Sequence, residues 1–145
     1  QDVASHDGTA DEVYAPDQLE TLLGRADFVV LCCPLNRLTR EMIDANAFSA
    51  MKASAQLVNV ARGGCVQEKA LAAALTKGQI AGAAIDHFQD EPLGTESPFW
   101  TMENLIITPH SAGETRKYED NVIDILIENI NRLQTGNQEL VNQIL

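Results

Sequence analysis

Three side chains with complementary chemistry follow three consecutive apolar segments of the sequence. They are Arg62 beside two glycines, Glu91 before a proline, and His110 after a Thr-Pro pair. An arginine guanidinium can hold a carboxylate through two parallel hydrogen bonds, and glycines beside it let the backbone approach a ligand closely. A histidine next to a glutamate is a common acid/base pair, because the carboxylate favours the charged ring and fixes its orientation. These residue types suit the binding of an organic acid and the transfer of a proton to or from its oxygen.

Each of these residues also has an ordinary structural explanation when taken alone. A loop arginine is commonly solvated, a glutamate is commonly a surface carboxylate, and a histidine after Thr-Pro can cap the next helix. Asp86 ends an apolar segment and fits a turn as well as it fits a site. We expect structural roles for His6 and His87, since His87 follows its strand too closely to reach a cleft. Phe99 and Trp100 are expected to pack within a loop.

The elements that must position the three side chains are four strands and the helices between them. Strands are predicted in the apolar segments 27–33, 56–60, 80–86 and 104–108. The first run suits a strand buried on both faces, and the second is also expected to be buried. Helices are predicted over 17–25, 40–51 and 68–77, and a long amphipathic helix from a capping box at 111–114 to about 133. This alternation predicts βαβ units and a parallel sheet. Because ligands of open parallel sheets bind at the carboxyl ends of the strands, the three side chains should converge on one edge.

The composition and charge of the chain exclude several classes of function. With 45% hydrophobic and 21% charged residues, the 145-residue chain has the make-up of an ordinary globular domain. Its formal charge of −11 opposes nucleic-acid and anionic-membrane partners. The cysteines at positions 32, 33 and 65 lack CxxC spacing, so we expect reduced thiols, a cytoplasmic location and no metal site.

Four blocks of the sequence resemble the D-isomer-specific 2-hydroxyacid dehydrogenases. They are residues 26–35, 57–64, 82–93 and 104–113, and the resemblance extends from about Leu19 to the C-terminus. It implies a doubly wound, Rossmann-like α/β fold that binds NAD or NADP. Residues 1–113 would be the C-terminal half of the NAD(P)-binding domain. Residues 114–145 would be the C-terminal helix and tail that return to the substrate domain.

The resemblance also implies a role for each site residue. Arg62 would hold the carboxylate and carbonyl of the substrate, His110 would be the acid/base, and Glu91 would be the partner of His110. Asp86 would meet the nicotinamide carboxamide, near the backbone of Val60 or Ala61. The full set of residues implied to surround the cofactor is Cys33, Pro34, Val60, Ala61, Asp86 and Gly113.

The sequence departs from the family pattern in one large feature and several small ones. The glycine-rich turn that seats a pyrophosphate is absent, as is the residue that separates NAD from NADP. We therefore expect a fragment whose sheet is incomplete at its N-terminal side and which is inactive by itself. Gln67 and His87 stand where the family often has Asp and Val, so the helix after Gln67 should have a weaker cap. Glu91 is not the Gln of the formate-oxidising branch.

The function that the resemblance implies is hydride transfer between a nicotinamide cofactor and a small 2-oxo acid or D-2-hydroxy acid. Hydroxypyruvate and glyoxylate are examples of such substrates, and family members are usually homodimers. One alternative is a dinucleotide-sensing binding protein, like the corepressors that share this fold; turnover of a 2-oxo acid would exclude it. Another is a structural module built on the last helix, for which His110→Ala should have no effect.

Overall fold

A four-stranded parallel sheet forms the centre of the computed structural model, which describes residues 10–143. Its strands are β1 (Phe28–Leu31), β2 (Gln56–Asn59), β3 (Gly82–Ile85) and β4 (Leu105–Ile107). They lie in chain order, with Phe28 beside Gln56 and Gln56 beside Gly82. The predicted parallel α/β fold is therefore confirmed, and the loops after β2, β3 and β4 meet at one edge of the sheet.

Short α-helices flank the strands. The helix α1 (Leu19–Leu23) precedes β1, α2 (Ala45–Ala50) lies between β1 and β2, and α3 (Glu68–Thr76) lies between β2 and β3. The chain enters α2 through Asp44, whose carboxylate accepts hydrogen bonds from the N–H groups of Asn46 and Ala47, both at 2.9 Å. No side-chain bond caps α3 at Gln67, as the weaker cap at this position predicts.

One hydrophobic cluster joins the sheet to these helices. Leu57 of β2 and Ile85 of β3 are buried in it with Phe48 of α2 and Leu71 of α3. Complete burial of such a side chain contributes roughly 1.5–3 kcal/mol relative to its exposure to water. This core holds the strands in place, and the site at their carboxyl ends is built on that rigid base.

The other face of the sheet is exposed at the edge strands β1 and β4, and the prediction that β1 is buried on both faces is wrong. Val29 and Leu31 are buried, whereas Phe28 is 64% exposed and Val30 is 56% exposed. Ile106 of β4 is also exposed. An unbroken apolar run reads the same in the sequence whether or not a neighbouring element covers its second face.

Two predicted helix boundaries are also wrong. Only residues 45–50 of the predicted helix 40–51 are helical, because Glu41 has a left-handed backbone with φ at 51° and Ile43 forms a parallel bridge with Val66. The capping box at 111–114 does not form. The N–H groups of Ser111 and Ala112 donate instead to the Asp86 carboxylate, and the last helix begins at Tyr118.

The chain divides into two compact units, one ending at Ala112 and the other beginning at Gly113. The second unit contains α4 (Tyr118–Gln134). Within it, the Asn129 side chain binds both backbone groups of Val141, and Arg132 pairs with Glu128 at 2.7 Å. Most apolar residues of α4 are exposed, among them Val122, Ile123, Leu126, Ile127, Ile130 and Leu133, whereas Ile125 is half-buried. None of the helices in residues 10–143 has the length and apolar character needed to span a membrane.

Candidate active site

His110 and Glu91 form a hydrogen-bonded pair at the carboxyl edge of the sheet. Nδ1 of His110 lies 2.8 Å from Oε2 of Glu91, and Oε1 of Glu91 accepts the N–H of Phe88 at 3.0 Å. The hydrogen bond from His110 lowers the pKa of Glu91 against the opposing effect of burial, and the Phe88 N–H adds to the lowering. An ionised carboxylate only accepts, so Nδ1 carries a proton and Nε2 is the nitrogen left for a ligand. Among the described residues, no side chain hydrogen-bonds Nε2.

The backbone of His110 adopts a left-handed conformation, with φ at 57°. This conformation costs an L-residue roughly 1–2 kcal/mol, and such strain is concentrated at functional sites. The N–H of His110 donates to the carbonyl of Asp86 at 3.0 Å. The turn that presents the imidazole is thus held in place from the end of β3.

Asp86 anchors the same turn through its side chain. One carboxylate oxygen accepts from the Thr108 hydroxyl and from the N–H of Ser111 at 2.9 Å, and the other accepts from the N–H of Ala112 at 3.0 Å. Asp86 is 3% exposed, and burial by itself raises the pKa of its carboxyl group. The hydrogen bonds outweigh burial and hold the pKa of Asp86 at about 2. Asp86 is therefore ionised, and it fixes the loop after β4 to the end of β3.

Arg62 follows β2 and is positioned by a buried asparagine. Nδ2 of Asn59 donates to the Arg62 carbonyl and Oδ1 accepts the Ala61 N–H, both at 3.0 Å. The guanidinium donates to the Ala61 carbonyl at 2.6 Å. In residues 10–143 no acidic side chain pairs with Arg62. Its positive charge is therefore available to an anionic ligand.

Gly63 brings the loop after β2 into direct contact with the loop after β3. A Cβ at this position would lie 2.1 Å from the carbonyl carbon of Phe88 and 2.5 Å from the N of Gln89. Real Cβ atoms are not found so close to backbone atoms, so only glycine permits this approach. Arg62 and Glu91 belong to the two loops that meet here.

The sequence did not predict that His87 lies between the arginine and the acid/base histidine, in contact with both, although it lines neither neighbouring cavity. The residue is 5% exposed, its Nε2 lies 3.4 Å from a guanidinium nitrogen of Arg62, and its ring centroid lies 3.7 Å from that of His110. A signal in the sequence was its place directly after Asp86, at the end of an apolar strand. Asn59 and Thr108 were missed as well, and both are polar residues at the ends of apolar segments.

A cavity of about 630 Å³ lies beside the acid/base pair. Its polar lining includes Asp86, Glu91 and His110, and its apolar lining includes Phe88 and Trp100. Phe99 is buried against Phe88, as predicted for loop packing, whereas Trp100 is 53% exposed. Arg62 lines a different cavity of about 430 Å³, and Phe88 borders both cavities.

The other residues predicted to contact a cofactor lie at the ends of β1 and β2, with one exception. Cys33 is half-buried, Pro34 and Val60 are exposed, and Ala61 is buried. Gly113 belongs to the second unit, so its place beside the nicotinamide stays a prediction. In the described part of the chain, no cluster of side chains is suited to a metal ion, and the three cysteines are free.

A parallel sheet with an acid/base pair and an arginine at its carboxyl edge is the arrangement of a dinucleotide-dependent α/β oxidoreductase. The sequence profile described as "D-isomer specific 2-hydroxyacid dehydrogenase, NAD binding domain" matches residues 2–112. The chain belongs to this family. Both the family resemblance and the class of cofactor, a nicotinamide dinucleotide, are thereby confirmed.

Individual relatives carry more specific names. The chain is 41% identical over 130 residues to an (S)-sulfolactate dehydrogenase of Chromohalobacter salexigens, covering 90% of this chain and 42% of the relative. It is 41% identical over 122 residues to a glyoxylate/hydroxypyruvate reductase B of an Enterobacter species, covering 84% of this chain and 38% of the relative. The chain thus spans about two fifths of the length of these curated relatives.

A solved structure shows the same fold. The D-isomer specific 2-hydroxyacid dehydrogenase from Xanthobacter autotrophicus, in complex with NADPH and MES, superposes with a TM-score of 0.80 at 36% identity. The match covers 89% of this chain and 52% of that chain.

Proposed function

We propose that the protein containing this chain is an oxidoreductase that transfers a hydride between NAD or NADP and a small 2-oxo acid or D-2-hydroxy acid. The observation that carries the proposal is the His110–Glu91 pair at the same sheet edge as Arg62, which has no acidic partner among residues 10–143. The names of the relatives support the substrate class, since they include a glyoxylate/hydroxypyruvate reductase and a sulfolactate dehydrogenase.

Arg62 binds the carboxylate of the acid in this proposal. Its planar guanidinium can donate two parallel hydrogen bonds, and its charge is the local attraction that an anion needs near a chain of formal charge −11. Asn59 fixes the backbone on both sides of the peptide that leads into Arg62. The substrate carboxylate is thereby held at a defined place on the sheet edge.

His110 moves the proton. During reduction the charged imidazole gives a proton from Nε2 to the carbonyl oxygen of the 2-oxo acid, and during oxidation the neutral ring takes it back from the hydroxyl group. Glu91 holds Nδ1 at 2.8 Å, so the ring keeps its orientation and the positive charge is stabilised before the proton leaves. The proton moves to or from the oxygen on C2 of the acid as the hydride is added to or removed from C2.

The chemistry of the residues at the strand ends fits a nicotinamide dinucleotide. The apolar surface of Cys33, Pro34 and Val60 suits flat rings, and the Asp86 carboxylate lining the cavity suits an amide N–H. When bound, this cofactor supplies the hydride for reduction and accepts it for oxidation. The proposed contacts are Cys33 and Pro34 on the adenine side, with Asp86, Gly113 and the backbone of Val60 or Ala61 on the nicotinamide side.

We also propose a cytoplasmic homodimer without nucleic-acid or membrane partners. Free cysteines at positions 32, 33 and 65 favour a reducing compartment, and the acidic charge opposes contact with phosphate backbones. Sedimentation equilibrium of the complete protein tests the dimer, and a single species with the mass of one chain would contradict it.

Turnover by the complete protein, as its gene encodes it, tests the proposed reaction. Oxidation of NADH and of NADPH is followed with glyoxylate, hydroxypyruvate and a branched 2-oxo acid. The matched control is His110→Gly, which removes the imidazole but accepts a φ of 57° without strain. We expect turnover that depends on the 2-oxo acid and that falls at least a hundredfold in the variant, in line with the roughly 10²–10⁴-fold contribution of general acid catalysis.

Two outcomes would contradict the proposal. Equal turnover by His110→Gly would remove His110 from the acid/base role. Binding of NADH or NADPH without turnover of any 2-oxo acid would favour the dinucleotide-sensing alternative.

A further inference from the structure

The buried imidazole of His87 contacts both functional groups of the proposed site. On one side its Nε2 lies 3.4 Å from Arg62, and on the other its ring packs against the ring of His110 at 3.7 Å between centroids. Asp86 Oδ2 lies 3.4 Å from Nδ1. The mechanism above uses the two neighbours of His87 and leaves His87 without a role.

The hydrogen-bond donors and acceptors around the two ring nitrogens of His87 indicate its charge state. A guanidinium only donates, so Nε2 must accept, and the ring proton is then on Nδ1 beside the Asp86 carboxylate. A second proton would have to sit on Nε2, facing the positive charge of Arg62. Burial lowers the pKa of His87, and His110 and Arg62 lower it further, whereas Asp86 and Glu91 oppose them. These four residues are the charged and titratable groups around the ring, and their arrangement keeps it neutral.

Packing alone does not account for a histidine at this position. Nδ1 is buried and makes no hydrogen bond among the described residues, although Asp86 Oδ2 lies 3.4 Å away. A buried polar atom without a partner is destabilising, so an apolar side chain would fill the space at lower cost. The feature of histidine that the surroundings use is the acceptor that faces Arg62.

We propose that His87 is a positioning residue that holds the Arg62 guanidinium and sets its distance from the His110 ring. This inference rests on the proposed function and adds to it a determinant of carboxylate binding. One rigid ring in contact with both groups fixes where the substrate carboxylate lies relative to the nitrogen that protonates its carbonyl. An arginine without this contact would sample more rotamers and bind the carboxylate less well.

Three substitutions in the complete protein separate this role from a packing role. His87→Val keeps the site buried and removes the acceptor. His87→Gln places an amide oxygen near the position of Nε2, whereas the shorter amide of His87→Asn reaches only the position of Nδ1. Gln and Asn are therefore a matched pair that differs in whether the acceptor can reach Arg62.

We expect KM for the 2-oxo acid to rise about three- to tenfold in the Val and Asn variants, the loss of one modest hydrogen bond to a bound group. The Gln variant should stay within about twofold of the unchanged protein, by the same scale. The dependence of kcat on pH should keep its acidic and basic sides in all three variants, since a His87 ring that stays neutral exchanges no proton during turnover. Thermal unfolding of each variant shows that the fold is intact.

Two results in an active protein would overturn the role of His87. One is an unchanged KM in the Val variant, and the other is the loss of a limb of the pH profile, which would show that His87 itself exchanges a proton. If the unchanged protein turns over no 2-oxo acid, the proposed function is wrong, and the positioning role that rests on it is wrong as well. Measuring the unchanged protein beside the variants therefore distinguishes the two failures.

Discussion

At the scale of single residues, Glu91 and Asn59 each fix the site by using both polar atoms of the side chain. Glu91 binds the Phe88 backbone with one oxygen and His110 with the other. Asn59 uses its amide in the same way to fix the peptide before Arg62. The orientation of the catalytic groups is therefore fixed, because a change of rotamer at Glu91 or Asn59 would break a hydrogen bond to the backbone.

Replacing Glu91 by Gln should shift the pH dependence of reduction. The amide carries no charge to stabilise the imidazolium, and it can donate to Nδ1, which favours the neutral ring. The proton donor is then lost at lower pH, so the rate of reduction should begin to fall at lower pH than in the unchanged protein. The measurement is kcat/KM for the 2-oxo acid across the pH range.

The control for this shift is Glu96→Gln, which removes an exposed carboxylate from the same loop. It should leave the profile in place. If Glu91→Gln and Glu96→Gln give the same profile, the pairing of Glu91 with His110 has no part in the reaction.

At the scale of elements, the site is the contact between three loops. Gly63 joins the loop after β2 to the loop after β3, and Asp86 joins β3 to the loop after β4. The helices between the strands contribute no side chain to the acid/base pair. The helices bury one face of the sheet and so support the strands whose carboxyl ends carry the site.

Gly63→Ala should separate the first two of these loops. The added methyl group meets Phe88 backbone atoms at 2.1 and 2.2 Å, and backbone cannot move aside as a side chain can. We expect a loss of about 1–3 kcal/mol in the free energy of unfolding and a higher KM for the 2-oxo acid. Urea unfolding and steady-state kinetics measure the two effects.

Gly94→Ala is the matched control, because nothing lies within 4 Å of a Cβ at that position. It should change the free energy of unfolding by less than about 0.5 kcal/mol. A Gly63→Ala variant as stable as Gly94→Ala would mean that the two loops have room between them.

Much of this arrangement could be predicted from the sequence. Four apolar runs ending in turns indicate the parallel strands, and the carboxyl-edge rule then brings Arg62, Glu91 and His110 to one side. Each of these predictions needs only the local sequence pattern and the topology of the sheet. The structure places the three residues at that edge, while their catalytic roles stay proposals.

The rest depended on contacts between residues distant in the chain. His87 meets Arg62 and His110, and neither meeting is visible in a local pattern. The same reason explains the capping box that failed, because the N–H groups of Ser111 and Ala112 are taken by Asp86 from a different strand. In both cases the outcome is decided by contacts between residues that lie far apart in the sequence.

At the scale of the whole molecule, the acidic charge and the buried carboxylate respond to acid in opposite ways. The chain has 21 acidic and 10 basic residues, so protonation of exposed carboxylates relieves repulsion as the pH falls. Asp86 acts in the opposite sense, since its folded-state pKa of about 2 lies below the ordinary value of 3.8. Its stabilisation is fully present above the ordinary value and is lost as the pH falls through the folded value.

Comparing Asp86→Asn with the unchanged protein isolates this contribution, because the exposed carboxylates are common to both. The pKa difference corresponds to about 2 kcal/mol of stability above pH 5. The advantage of the unchanged protein in urea unfolding should therefore shrink by about 2 kcal/mol between pH 5 and pH 2. The part of the advantage that does not depend on pH should remain, because an amide oxygen cannot accept from Thr108, Ser111 and Ala112 together. A difference that stays constant over this range would show that the Asp86 carboxyl titrates alike in the folded and unfolded chains, and that its bonds to the His110 turn do not depend on its charge.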